Sequence, residues 1–225
     1  MLTASNIFRS RYLVCLERGD IAYIIVNRPA ALNGIDARMR IDLCRAFKAA
    51  RDDRDICGIV LSGAGAEAFI GPDLGGPLDR DSFPAAESSR MMQTLLSLIE
   101  TLGKPVAAAI NGLALGCGCE LAMACTLRIA TDTSRFGLSE IRGWPISDET
   151  LDAYAAYEIG LIDEIVAPAD LIGRAAAIVR QVATSAPAAA RYASESASRG
   201  LGASYAKPVS ARADTGSHAP DYANR

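Results

Sequence analysis

Two short runs, CGIVLSG (57–63) and PVAAAI (105–110), are almost continuously apolar, and each opens into a glycine-rich stretch. A strand apolar on successive residues is covered on both faces, as in a parallel sheet with helices packed outside it. The chain connecting the two runs carries Met91, Leu95, Leu98, Ile99 and Leu102 at helical spacing. Gly103 and Pro105 then supply stop chemistry, so this connection is a crossover helix. Sites in such sheets gather at the loops leaving the carboxyl ends of the strands.

The flanking sequence fits the same plan. RYLVCLER and IAYIIVN, separated by Gly19-Asp20, read as a hairpin. Asp36 caps a helix carrying Met39, Leu43, Phe47 and Ala50. GAGAEAFIGPDLGGP (63–77) reads as a loop, and TLRIAT as a further strand. Beyond Glu140, SDETLDAYAAYEIG reads as a capped helix, LIDEIV as a short strand and ADLIGRAAAIVRQVA as an amphipathic helix. The order strand, strand, helix repeats, which predicts an α/β fold with a core over 1–184. Residues 185–225 form a helical or irregular extension, placed against a neighbouring subunit or left without fixed structure.

The 225 residues are half apolar and carry a formal charge of -3. Without a basic stripe the chain is no nucleic-acid binder. The sequence shows no run long enough to span a membrane and no secretory signal, so the expected location is the cytoplasm. Six cysteines scattered through apolar contexts are expected to be reduced, and Cys117, Cys119 and Cys125 do not share the face a metal would need. No metal is expected.

The segment ALGCGCELAMAC (114–125) places glycines and one acid at the start of an apolar helix. A helix N-terminus exposes backbone N–H groups and partial positive charge, suited to an anion or a developing oxyanion; a packing turn is the plainer reading. Glu120 lies one turn in, among apolar neighbours, where an uncompensated buried carboxylate would be costly. It is either a paired structural acid or a proton-transfer group. Glu140, in RFGLSEI, could return to the same end of the sheet.

VNRPAALNGID, GIVLSGAGAEAFIGPDL, KPVAAAINGLALGCGCELAMACTLRIATDTSRFGLSEI and AYEIGLIDEIV together resemble the ordered signatures of the enoyl-CoA hydratase/isomerase, or crotonase, superfamily. The resemblance covers most of residues 21–184. It implies a crotonase-like spiral of β-β-α repeats with a helical C-terminal region, assembled as a trimer or a dimer of trimers. The implied ligand is an acyl-CoA thioester whose oxygen is held by two backbone N–H groups as an enolate develops. Coenzyme A is part of the substrate, and no separate cofactor is implied.

By motif position, the Cys117 amide is one oxyanion donor. The other position falls on Pro72, which has no N–H, so either Gly71 takes the role or the hole has one arm. Losing such a donor costs ~2.7–4 kcal/mol of transition-state stabilisation. Glu120 and Glu140 correspond to the two acids of a hydratase. Ala30, Leu32, Gly71, Asp73, Leu74 and Gly116 correspond to substrate and CoA contacts. The segment IRGWPISDETLDAYAAYEIGLID replaces a longer family segment that closes the acyl pocket.

The resemblance therefore implies an enoyl-CoA hydratase acting across a 2,3-double bond. An isomerase, or another enzyme working through a thioester enolate, is an alternative. A shortened paralogue that binds acyl-CoA without turnover is a third reading.

Overall fold

The structure is a computed structural model that describes residues 5–71, 85–137 and 150–185. In chain order its elements are strands β1 (Ser5–Arg9), β2 (Leu13–Arg18) and β3 (Ile21–Val26), a 3-10 turn (Pro29–Ala31) and helix α1 (Ala37–Asp52). Strands β4 (Gly58–Gly63) and β5 (Ala68–Ile70) precede α2 (Ala85–Glu100), and β6 (Val106–Ile110) and β7 (Leu113–Leu115) precede α3 (Cys117–Ala124). Then come β8 (Leu127–Thr131), β9 (Arg135–Gly137), β10 (Leu151–Asp152), α4 (Ala153–Glu158), β11 (Glu164–Val166) and α5 (Leu171–Ser185).

The strand pairs divide between two sheets. The large sheet runs β1-β2-β3-β4-β6-β8-β11, antiparallel through β3 and parallel from there on. The small sheet runs β10-β9-β7-β5, with β5, β7 and β9 parallel and β10 antiparallel. Each repeat thus gives one strand to the large sheet and one three-residue strand to the small sheet.

The double-sided apolar pattern follows from what covers the large sheet. Val60, Ala107, Ala109 and Ile129 pack with Leu171, Ala175, Ala176 and Val179 of α5. Their neighbours Ile59, Leu61, Ala108 and Ile110 belong to a second, larger cluster with Met39, Leu43 and Phe47 of α1, Leu95 and Ile99 of α2, and Leu121 of α3. Burying apolar side chains on both faces gives ~25 cal/mol per Å² removed from water, which drives the layered arrangement.

Local signals operate as the sequence indicates. The Asp36 carboxylate accepts from the Met39 N–H at 2.8 Å and caps α1. Gly103 adopts φ +78 beyond α2, and the Asp152 carboxylate caps α4 through the Ala155 N–H at 2.8 Å. The stretch 63–77 is corrected in part: Ala68–Ile70 is a buried strand, β5, held by parallel pairing with β7. Strand β1 is a further addition to the expected hairpin.

None of the six cysteines forms a disulfide, and no metal-competent cluster of His, Cys, Asp and Glu occurs among the described residues. Among those residues, no helix is long and apolar enough to cross a membrane. The expected extension from 185 onward lies almost wholly outside the described residues.

Candidate active site

Three adjacent parallel strands of the small sheet bring the predicted site segments to one edge. Gly71 follows β5, Gly116 follows β7, and β9 ends at Gly137, three positions before Glu140. The carboxyl ends of parallel neighbours lie side by side, the usual place for a site in an α/β sheet.

The Gly116 turn is shaped by backbone chemistry. Gly116 takes φ 51, ψ -119 as the residue before α3, a conformation that favours glycine. Its N–H donates to the Gly137 carbonyl at 2.7 Å, tying the start of α3 to the end of β9. That N–H is therefore committed to the fold, and a substrate contact at Gly116 falls to other atoms. Gly118 allows α3 to approach β5 closely, because a Cβ there would lie 1.9 Å from the Ile70 carbonyl oxygen.

Cys117 is the first residue of α3, and its side chain is turned away from solvent: the residue is 1% exposed, and its thiol lies 3.6 Å from the Gly71 carbonyl oxygen. Of the three oxyanion candidates read from sequence, Cys117 and Gly71 are thus in contact, and Pro72 lies outside the described residues. The thiol occupies the protein side of the turn, so cysteine at this position need not fill substrate space.

Glu120 corrects one expectation. Its neighbours Cys119 and Leu121 are buried, but Glu120 itself is exposed, on the open face of α3. An exposed carboxylate escapes the burial penalty anticipated from its apolar context. Burial, with the Glu120 charge as a second cause, pushes the Cys119 thiol up to about 11, opposed by a hydrogen bond from the Gly137 backbone.

Gly71 is buried on its other side against the RPAALN turn, where an added Cβ would lie 2.5 Å from the Leu32 carbonyl oxygen. Leu32 and Asn33 both adopt positive φ, 50 and 54. Ala30 is exposed and Leu32 half-buried, so the turn presents residues to solvent next to Gly71. Glu140, Pro72, Asp73 and Leu74 lie outside the described residues, as does Trp144.

The basic residues Arg28 and Lys104, near these segments in sequence, have structural partners. Arg28 pairs with Asp36 at 2.9 Å and lies over the Tyr12 ring, 4.8 Å from its centroid. The Lys104 ammonium donates to the Ala50 carbonyl at 2.8 Å and to the Asp53 carbonyl, closing the end of α1.

Sequence reasoning passed over three polar residues at the corners where each repeat crosses between sheets. Asn33 is fully buried; it accepts from the Arg28 N–H at 2.9 Å and donates to the Ala64 and Ala68 carbonyls at 3.0 and 2.7 Å. Asn111 donates to the Gly63 carbonyl at 2.9 Å and to that of Gly65. The Ser134 hydroxyl bonds Ile110 and Gly112 at 2.9 and 3.3 Å. The available signal was an Asn-Gly pair, Asn33-Gly34 and Asn111-Gly112, at two of these positions; Ser134, among polar neighbours, carried none.

Residues 17–147 match the enoyl-CoA hydratase/isomerase family. The short-chain-enoyl-CoA hydratase of Clostridium acetobutylicum is 29% identical over 213 residues, covering 84% of this chain and 82% of that protein. A putative enoyl-CoA hydratase/isomerase of Bacillus subtilis is 32% identical over the same shares. Among solved structures, an enoyl-CoA hydratase from Bacillus anthracis superposes with a TM-score of 0.76 at 22% identity, covering 92% of this chain and 90% of that one. In the Clostridium alignment, 84% of 225 residues is about 189, some 24 fewer than the 213 aligned positions. The relative thus carries residues with no counterpart here.

Proposed function

Because the chain belongs to the enoyl-CoA hydratase/isomerase family, we propose that it is an acyl-CoA enzyme that adds water across a 2,3-enoyl thioester. The observation that carries this reading is the contact between Cys117, at the start of α3, and Gly71, at the end of β5. These are the two positions whose amides would hold the thioester oxygen as charge develops there. Donors preorganised for the enolate act more strongly in the transition state than in the ground state.

In this reading Glu120, exposed one turn beyond Cys117, and Glu140, three positions past the end of β9, flank a water molecule. One carboxylate takes a proton from the water as its oxygen attacks the β-carbon, and the other delivers a proton to the α-carbon. The RPAALN turn beside Gly71 holds the CoA portion through Ala30 and Leu32. The family resemblance implies a trimer or a dimer of trimers, and that assembly is proposed here.

Hydration of crotonyl-CoA, followed by loss of the conjugated thioester absorbance, tests the reading. Glu120→Gln and Glu140→Gln should each lower kcat by about 10²–10⁴-fold. A folded wild-type protein inactive on enoyl thioesters of every chain length would overturn it.

A second reading, thioester binding without turnover, is favoured by Pro72 and by the missing two dozen positions. Both changes reduce catalysis more readily than affinity. Butyryl-CoA binding by a chain inactive in the hydration assay would select it. Isomerisation would instead appear as movement of the double bond without uptake of water.

A further inference from the structure

Asn33 is fully buried beside the site, and both ends of its carboxamide are hydrogen-bonded. Its Oδ1 accepts from Arg28 N–H, closing the RPAALN turn on itself, and its Nδ2 donates to Ala64 and Ala68, which bracket the glycine corner leading into β5. Its backbone sits at φ 54, directly after Leu32 at φ 50. The carbonyl of Leu32 is the group that leaves no room for a side chain on Gly71. One carboxamide therefore joins the turn that would hold CoA to the strand that ends at the candidate oxyanion arm.

We propose that Asn33 is a positioning residue that fixes the spacing between the CoA-holding turn and Gly71, and so aligns the thioester with the oxyanion arm. The inference rests on the acyl-CoA reading above. A carboxamide suits the task because it is acceptor and double donor at once and tolerates the left-handed backbone. A carboxylate would face two carbonyl oxygens with no proton to offer.

The test compares wild type with Asn33→Gly, which keeps the left-handed backbone but removes the side-chain bonds to Arg28, Ala64 and Ala68, and with Asn33→Asp. Rates are taken per folded protein, well below the unfolding midpoint. The expected result for Asn33→Gly is a fall in kcat for crotonyl-CoA hydration of about tenfold or more, with KM within about threefold, since misplacement penalises the reacting geometry first. The activity of Asn33→Asp relative to wild type should rise as pH falls, because a protonated carboxyl regains one donor. Butyryl-CoA affinity relative to free CoA is measured on the same proteins and should drop in Asn33→Gly.

Unchanged kcat and unchanged thioester preference in a folded Asn33→Gly protein overturn the positioning role alone. A wild-type chain that neither hydrates crotonyl-CoA nor binds butyryl-CoA overturns the acyl-CoA reading beneath it.

Discussion

Gly118→Ala isolates the contact between α3 and β5. At the second position of a helix this change ordinarily helps, by up to about 1 kcal/mol of helix propensity. Here the new Cβ would lie 1.9 Å from the Ile70 oxygen, 2.7 Å from its carbonyl carbon and 3.1 Å from its Cβ. A carbon–oxygen contact needs ~3.3 Å, so α3 must withdraw by about 1.4 Å. The obstacle is backbone in a buried strand, which cannot swing aside as a side-chain tip could. Overpacking costs about 1–3 kcal/mol, and with rigid backbone as the obstacle the upper part, about 2–3 kcal/mol, applies; less a propensity gain of about 1 kcal/mol the net loss is about 1–2 kcal/mol. For a domain of this size that lowers Tm by roughly 2–8 °C.

The larger effect should fall on rate. The withdrawal carries the Cys117 amide away from Gly71, and a 1 Å misplacement costs about 10²-fold. Thermal unfolding by circular dichroism and crotonyl-CoA hydration give the two readouts. A variant with Tm at or above wild type and a rate within twofold would show that the close approach has no such role.

Further substitutions separate backbone from side chain. Cys117→Pro removes the N–H at a first-turn position where proline is tolerated, and should reduce kcat by about 10²–10³-fold, whereas Cys117→Ala keeps the N–H and should stay within about tenfold; stopped-assay rates on both decide it. Asp20 accepts from Arg180 at 2.7 Å and from the Cys57 thiol at 3.2 Å, and the Arg180 hydrogen bond holds its carboxyl below the ordinary 3.8. A depressed carboxyl stabilises above its unfolded value and loses that contribution as pH falls through the folded one. Asp20→Asn should therefore cost under about 1 kcal/mol at neutral pH, with the difference vanishing below pH 3.8 in urea titrations. Burial pushes Cys15 and Cys125 up to about 12, so native protein at pH 7 should leave both unmodified by iodoacetamide until denatured, as mass spectrometry would report.

The large sheet was legible because its strands carry long one-sided or two-sided apolar patterns. Ile59 to Leu61 alternate between the α5 face and the face shared by α1, α2 and α3, so every position reads as buried. The small sheet was not legible. Ala68–Ile70, Leu113–Leu115 and Arg135–Gly137 are too short for periodicity, and what makes them strands is pairing with segments more than 20 residues away. The candidate site was partly legible: Cys117 came from motif position, Gly71 stood as the alternative to Pro72, and the Cys117 thiol lies 3.6 Å from the Gly71 carbonyl oxygen. The exposure of Glu120 was hidden by apolar neighbours, and Asn33 looked like ordinary turn chemistry because its bonds to Ala64 and Ala68 span 31 and 35 residues.

The corner bonds have a consequence for how such a chain can be edited. Asn33 and Asn111 clasp the corner after β4, and Ser134 clasps the one after β6, so each bend is latched by side chains supplied from neighbouring repeats. Ser134 is the last latch, and Arg128 then draws the returning chain back by holding the Leu161 carbonyl at 2.7 Å and Asp163 at 3.1 Å. None of these bonds is made by a described residue between those two points. The spiral therefore has a seam there, where length can change while the turns fastened by Asn33, Asn111 and Ser134 keep their bonds.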